Sequence, residues 1–372
     1  MDKQHLHIVS LDVPFPADYG GAIDIFYRIK ALHELGFRIT LHVFEYGRGE
    51  QKELEKYAKV IYYKRNKSVF QLFSTRPFIV QTRISKQLLS DLLVDNDPIL
   101  FEGLHTCWYL ENEEIQKRMT FVRMHNLEHK YYQGLKRNAS IIKKFYFHQE
   151  AIKLKDYQKV LSKAQYILAI KDDERDELLA FNSNVLVLPA SFPETEGAFT
   201  KVQRYALFHG NLSVPENEVA AAWIIKTLKS ISDSSFELLI AGKNPSKRLI
   251  QLCKKEQIEL HANPTKSEMD SLIQEAQIHV LYSTVPSGIK LKLLACLHSS
   301  GHILVNEKMK IGKALEQFCV VAADSKEYKM HFLGLLNGAL KEDEFNERER
   351  FIQSNFNNEN NCRIIQKIIQ DA

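Results

Sequence analysis

Short runs rich in Val, Ile and Leu alternate along this chain with longer amphipathic stretches, and the alternation breaks once and then restarts. A strand that is apolar on both faces needs cover on both, so this pattern predicts parallel sheets wrapped by helices. The first series of candidate strands is HLHIVSLD (5–12), RITLHVFEY (38–46), AKVIYYK (58–64), PILFEGL (98–104), TFVRMH (120–125), QYILAI (165–170) and VLVLPA (185–190). The second is YALFHGN (205–211), FELLIAGK (236–243), IELHANP (258–264), QIHVLYS (277–283), HILVN (302–306) and CVVAA (319–323). Between them, SFPETEGAFTKVQR carries Pro193 and Gly197 and is too short for a disordered linker, which puts a boundary near residues 191–203. The expected fold class is α/β, with two doubly wound Rossmann-like domains over residues 1–195 and 200–345. A polar helical tail over 346–372 is either a terminal helix pair or a strap onto the first domain.

Composition removes several functional classes. Fifty Lys and Arg against 46 Asp and Glu leave a net charge of +4, too little for a dedicated nucleic-acid binder, so no nucleic-acid partner is expected. Five cysteines at Cys107, Cys253, Cys296, Cys319 and Cys362 contain no C-x-x-C pair, which argues against a disulfide framework or a zinc knuckle. The opening MDKQHLHIVSLDV lacks the apolar core and cleavage site of a signal peptide, and no window approaches the ~18–20 apolar residues of a membrane span. A cytoplasmic protein is expected, with any membrane contact peripheral and on the inner face.

Ligands of doubly wound sheets bind outside the carboxyl ends of the strands, so the segments just after strands matter most. After the first strand, VPFPADYGGAIDIFYRIKALHELG places Gly20 and Gly21 at the start of an amphipathic helix. Glycines there let a phosphate approach the backbone while the unpaired N–H groups supply positive potential. The segment is neither G-x-G-x-x-G nor a P-loop, and a plain glycine turn starting a helix would read the same way.

After the fifth strand, FVRMHNLEHKYY crowds Arg123, His125, Asn126, Glu128 and His129 together. Read as H-x-x-E-H, His125 and His129 would ligate zinc with Glu128 as base, although that pattern needs a helix where TFVRM alternates like a strand. Read as a strand-end cluster, His125 enters a cleft while Arg123 and Glu128 pair to position it or the substrate. A third reading is a capping network with Asn126 as N-cap of the next helix.

In PSGIKLKLLACLHSSGHILVN, a helix starting near Gly288 would carry Lys290 and Lys292 in its first turn. Cations are disfavoured at helix N-termini, so two lysines there suggest that an anion such as a diphosphate shares the place. Lys130 to Lys163 forms a basic run, nine basic residues against Glu150 and Asp156, interleaved with Tyr131, Tyr132, Phe145, Tyr146, Phe147 and Tyr157. Basic helices with interleaved aromatics suit anionic lipid headgroups, while a solvated helix face whose aromatics pack on a sheet is the commoner reason for such a run.

These segments together resemble a GT-B glycosyltransferase of the large family 4 group, the retaining, nucleotide-sugar-dependent transferases. The pieces that carry the resemblance are PFPADYGGAIDIFYRIKALHELGFRITLHVF, FEGL with RMHNLEHKYY, LFHGNLSVPENEVAAAWII, AGKNPS and SGIKLKLLACLHSSGHILVN. The resemblance implies two domains facing each other across a cleft, the first on the acceptor side and the second binding the nucleotide sugar. It implies that Gly20 and Gly21 contact the donor phosphates, that His125 lies by the anomeric carbon, and that Lys292 meets the diphosphate with Ser287, Gly288 and Lys290 beside it. Asn211 and Lys243 would join this donor set. Glu102 and His105 would stand with His125 in catalysis, and Arg123, Asn126 and Glu128 on the acceptor side. The co-substrate would be a nucleoside-diphosphate sugar, with no metal and no other cofactor. The acceptor would be a surface glycan or a lipid-linked glycan, with the run 130–163 against an anionic membrane.

Two departures stand out. Ala295 occupies the position where the family commonly has a Glu that holds the donor ribose, and HGNLSVPEN lacks the Arg and Lys that commonly follow the first strand of the second domain. These departures keep a catalytically silent binding module as the alternative function, with a sugar-nucleotide epimerase further behind.

Overall fold

In the computed structural model, described over residues 4–371 apart from 46, 137–139, 195–196, 230, 232–235, 286–289 and 311–312, the chain forms two compact units. One holds Met1–Glu194 and Phe356–Ala372, the other Thr195–Pro286 and Lys290–Asn355.

The first unit is built on seven parallel strands: β1 (His5–Ser10), β2 (Arg38–Glu45), β3 (Lys59–Lys64), β4 (Ile99–Glu102), β5 (Thr120–Arg123), β6 (Tyr166–Ala169) and β7 (Val185–Val187). They lie in the order β3-β2-β1-β4-β5-β6-β7, so the order reverses between β1 and β4. Alternation across the pleat divides the buried side chains between two cores. Val9, Phe101, Val122 and Ile167 point into one, Leu6, Ile8, Leu100, Phe121 and Leu168 into the other.

The second unit repeats the plan with β8 (Gln203–Asn211), β9 (Glu237–Lys243), β10 (Glu259–Ala262), β11 (Ala276–Leu281), β12 (His302–Asn306) and β13 (Val320–Ala322), ordered β10-β9-β8-β11-β12-β13. All thirteen expected strands are present, their ends shifted by at most three residues. β8 and β9 approach closely at Gly242, where an added Cβ would lie 1.9 Å from the Gly210 carbonyl oxygen. Only glycine fits there.

The polar tail is divided between the units. The helix Glu342–Asn355 belongs to the second, and the helix Asn358–Gln370 packs on α1 (Gly20–Glu34) of the first. Cys362 and Ile365 are fully buried beside Ile25 and Ile29, and the Asn358 amide exchanges hydrogen bonds with the Phe192 backbone at 3.1 and 2.8 Å.

Candidate functional site

At the carboxyl edge of the first sheet lies a fully buried charge network. Asp24 and Arg28 sit one turn apart on α1, Glu102 ends β4, Arg123 ends β5, and His125 follows two residues later. The Arg28 guanidinium donates Nε to Glu102 Oε1 at 2.9 Å and Nη2 to Glu102 Oε2 at 3.1 Å. It also donates to both Asp24 oxygens, at 3.0 and 2.9 Å. Arg123 donates Nε and Nη2 to Asp24 Oδ2 at 3.2 Å, and Nη1 to the carbonyls of Ala169 and Leu188. The Ser191 amide adds 2.7 Å to Asp24 Oδ1.

Two carboxylates and two guanidiniums balance to zero charge, which makes their burial tolerable. Burial alone would raise both acids, yet Arg123 and Arg28 hold Asp24 far below the usual carboxylate range, and Arg28 followed by His125 lowers Glu102. His125 is braced at both ring nitrogens, Nε2 2.9 Å from Glu102 Oε2 and Nδ1 3.4 Å from Asp24 Oδ2. Its 7% exposure is the only opening of this network to solvent, the other four side chains being at 0%.

This geometry corrects three expectations. Arg123 pairs with Asp24 and not with Glu128, and at 0% exposure it cannot contact an acceptor directly. Glu102 is sealed in as well, its carboxylate bonded to Arg28 and to His125 and closed to direct contact with an acceptor. Asn126 is not the N-cap of the helix Glu128–Lys136; Leu127 holds that position and Asn126 bonds the Glu128 side chain. Asp24 and Arg28 went unnoticed in the sequence. Their signal was an Asp and an Arg four residues apart on the same helix face as Leu32, where an amphipathic helix should be apolar.

Behind His125 lies a second pair. His105 Nδ1 and Glu128 Oε1 are buried, have no hydrogen-bond partner, and lie 4.0 Å apart. Burial pushes Glu128 up to about 8, only partly offset by the Asn126 bond, and burial followed by Arg83 pushes His105 well below the usual histidine value. Gly103, at φ +77°, makes room for both imidazoles, since a Cβ there would lie 3.0 Å from His105 Nδ1 and 3.4 Å from His125 Cδ2. His125 and His129 belong to no converging group of three or more metal donors among the described residues.

The Gly20 helix start is as expected. α1 opens at Gly20 with no side-chain cap hydrogen bond and no acidic residue in its first turn, so no side chain competes for its first N–H groups. Only the Tyr19 ring limits Gly21, 3.2 Å from where a Cβ would stand.

In the second unit the lysines are arranged differently from expectation. The helix begins at Leu291, so Lys290 precedes it and Lys292 is its second residue. Lys290 donates Nζ to Ser283 Oγ at 3.0 Å and to the Val285 carbonyl at 2.9 Å, with Glu216 at 3.7 Å. Lys292 donates to Asn217 Oδ1 at 2.6 Å and lies 5.1 Å from the centre of the Phe208 ring. Burial, then Lys290, lowers Lys292 to about 8. Asn217 in turn donates to the Asn211 carbonyl at 2.9 Å, at the carboxyl edge of β8, with Lys243 opposite on β9 and exposed. Ala295 packs against the buried cluster of Tyr205, Leu207, Leu239, Ala241, Ile273 and Ala276. Ser287 and Gly288 lie outside the described residues.

Among the aromatics of the basic run, Tyr132 and Tyr157 are buried and Tyr131, Tyr146 and Phe147 pack on the core, leaving Phe145 exposed. The exposed apolar surface comes instead from Ile141, Ile142 and Phe145 and, on a neighbouring turn, Val69, Phe70 and Phe73. Lys153 joins the two segments through the Leu72 carbonyl at 2.9 Å. No helix among the described residues is long and apolar enough to cross a membrane.

No protein-family model matches the chain. An uncharacterized 44.6 kDa protein in the cps region of Klebsiella pneumoniae is 26% identical over 94% of this chain and 95% of its own length. Among solved structures, sucrose-phosphate synthase from Thermosynechococcus elongatus matches with a TM-score of 0.68 at 13% identity, covering 99% of both chains. S. aureus TarM, in complex with fondaparinux, α-GlcNAc-glycerol and UDP, matches at 0.69 and 11% over 99% of this chain and 100% of its own. A glycosyltransferase from Rickettsia africae matches at 0.64 and 14% over 100% and 99%. At such identities the likeness concerns architecture: the chain has the GT-B glycosyltransferase fold, its seven- and six-stranded parallel sheets being the two Rossmann-like halves.

Proposed function

We propose that this protein is a retaining glycosyltransferase that moves a sugar from a nucleoside-diphosphate donor to a glycan or lipid-linked acceptor. The observation that carries the reading is His125, the one opening of an otherwise sealed network, fixed at both nitrogens by Glu102 and Asp24. Such bracing fixes the ring's orientation and places negative charge behind it, which suits a group that steadies a cationic, oxocarbenium-like sugar. Departure of the diphosphate builds negative charge on its β-phosphate. Lys290 and Lys292 of the second unit are groups suited to hold it. The leaving phosphate itself would take the acceptor proton, so no side chain need act as nucleophile. A membrane-bound acceptor is supported by Ile141, Ile142 and Phe145 standing exposed beside Lys143 and Lys144.

A binding module without turnover is the second reading. It is favoured by Lys290 and Lys292 already having partners in Ser283 and Asn217, and by Ala295 lying where a ribose-holding Glu is common.

Thermal shifts with UDP, GDP, ADP and CDP, then donor turnover with the sugar conjugates of the best nucleotide, test both. A ligand at ~100 times its Kd stabilises by ~2.7 kcal/mol. A shift for one nucleotide with turnover lost in His125→Ala supports the transferase. A shift without turnover for any sugar, or no shift with any nucleotide, removes the transferase and leaves the silent glycan-, nucleotide- or partner-binding module.

A further inference from the structure

The edge of the first sheet opposite His125 carries a second polar cluster that the proposed transfer does not use. His5 and His7 alternate on one face of β1, and Thr40 and His42 on the same face of β2 beside them. His5 Nδ1 lies 2.6 Å from Asp97 Oδ2, and His7 Nε2 3.0 Å from Asp95 Oδ1. The four donor atoms fall within 4.8 Å of one another. Beyond His7 runs a chain of contacts: His7 Nδ1 to His42 Nε2 at 2.9 Å, His42 Nδ1 to the Tyr63 hydroxyl at 2.8 Å, and that hydroxyl to Asp91 Oδ2 at 2.6 Å.

The hydrogens in this chain do not add up. Four contacts run from Asp95 through His7, His42 and Tyr63 to Asp91, and each needs one hydrogen. Neutral His7, His42 and Tyr63 supply one apiece and the carboxylates supply none, so one contact lacks its hydrogen. Among the ion pairs of the described residues, Arg118 is the one guanidinium that meets Asp91, Asp95 or Asp97, 3.0 Å from Asp95, while Arg38 and Lys59 line the same pocket without pairing with them, so charge is short in the same direction. A cation on His7 Nε2 resolves both deficits: His7 then donates Nδ1–H to His42, His42 to Tyr63, and Tyr63 to Asp91. His5 likewise donates Nε2–H to Thr40 Oγ1, 2.8 Å away, and keeps Nδ1 as a ligand. Protonating both imidazoles would supply the charge as well, but would set two imidazoliums with ring centres 4.6 Å apart.

We infer that His5, His7, Asp95 and Asp97 form a four-ligand site for a divalent metal of the zinc class, with Thr40, His42, Tyr63 and Asp91 as its outer partners. Two imidazoles and two carboxylates suit Zn2+ or Co2+ better than Mg2+ or Ca2+, and four protein ligands leave no open position for a substrate. The site is structural: it ties the start of β1 to the segment that leads into β4. Outer hydrogen bonds from a ligating imidazole are the usual way such rings are oriented. The other converging group, His209, His279 and Cys296, is less suited, because Lys292 opposes a cation beside His209 and Cys296 Sγ already lies 3.3 Å from His209 Nε2.

The test is titration of the chelator-treated full-length protein with Co2+, followed by optical absorption, and displacement with Zn2+. The expected result is one Co2+ per chain with the visible bands of a four-coordinate N/O site and no thiolate charge-transfer band. Asp97→Asn should weaken binding at least tenfold with an unchanged circular dichroism spectrum, and Tyr63→Phe by roughly 10–100-fold through the outer partners. His5→Gln serves if Asp97→Asn does not fold. Absence of stoichiometric Co2+, a thiolate band, or binding unchanged in the folded ligand variant overturns the site.

Discussion

Oε2 of Glu102 accepts from His125 Nε2 at 2.9 Å and from Arg28 Nη2 at 3.1 Å, so one buried oxygen ties the exposed edge of an imidazole to a guanidinium on α1. His125 and Arg28 should therefore fail differently when changed. His125→Ala removes the one exposed member and leaves the four balanced charges in place. Its melting temperature should stay within a few degrees of wild type while donor turnover falls by roughly 10²–10⁴. Arg28→Met leaves Asp24 and Glu102 with Arg123 as their one buried cation and should cost about 3–5 kcal/mol in denaturant unfolding. Equal losses of stability in both variants would contradict this division.

Glu128 gives the first unit a pH signature. Its carboxyl is raised to about 8 by burial, above the ordinary value of 4.5. Between those values the folded state holds a proton that the unfolded state has lost, so stability declines as pH rises through the window, by up to about 1.4 kcal/mol per pH unit. Glu128→Gln should flatten the decline and be more stable than wild type at pH 8, with little difference at pH 4. Unfolding curves of the two proteins across pH 4–9 check this, and parallel curves would contradict it.

Lys292 predicts the pH dependence of nucleotide binding. Burial and Lys290 hold its amine at about 8, so in the free protein the cation is lost as pH rises past that value. A diphosphate favours the charged amine, hence affinity should fall above pH 8, approaching tenfold per unit, and binding should take up a proton there. Calorimetry in buffers of different ionisation heat reads the proton uptake directly. Lys292→Met should bind weakly at every pH and lose the dependence.

The docked C-terminal helix should contribute strongly to the first unit. Ile365 is fully buried against α1, and Ile365→Ala should cost about 2–5 kcal/mol, as large-to-small core changes do. Lys367 on the same helix is exposed, so the contrast with Lys367→Ala, expected within ~0.5 kcal/mol, checks the docking by chemical denaturation.

Vesicle sedimentation addresses the apolar and basic surface of the helix Ile141–Tyr157. Replacing Ile141, Ile142 and Phe145 together by Ser should reduce binding to vesicles containing anionic lipid without changing fold, because all three are exposed. Binding should also weaken as salt is raised, since Lys143 and Lys144 contribute through screened charge.

The local part of this structure was legible in the sequence. Thirteen strands, the restart of the alternation near residue 200 and the opening of α1 at Gly20 all follow from short apolar runs, turn residues and periodicity, which act over a few residues. His125, too, could be singled out from its place after β5. What sequence could not decide was pairing. Arg123 had several carboxylates within reach along the chain, and only the packing of α1 over the sheet selected Asp24, 99 positions away. The same packing gave Glu102 to Arg28 and set Glu128 beside His105 and not Arg123. His5, His7, His42, Asp95 and Asp97 looked like ordinary strand and loop residues until three strands and a turn brought them to one edge. Periodicity is set by the local backbone, whereas the partner of a buried charge is set by whichever opposite charge the completed fold leaves nearest, and that choice exists only in three dimensions.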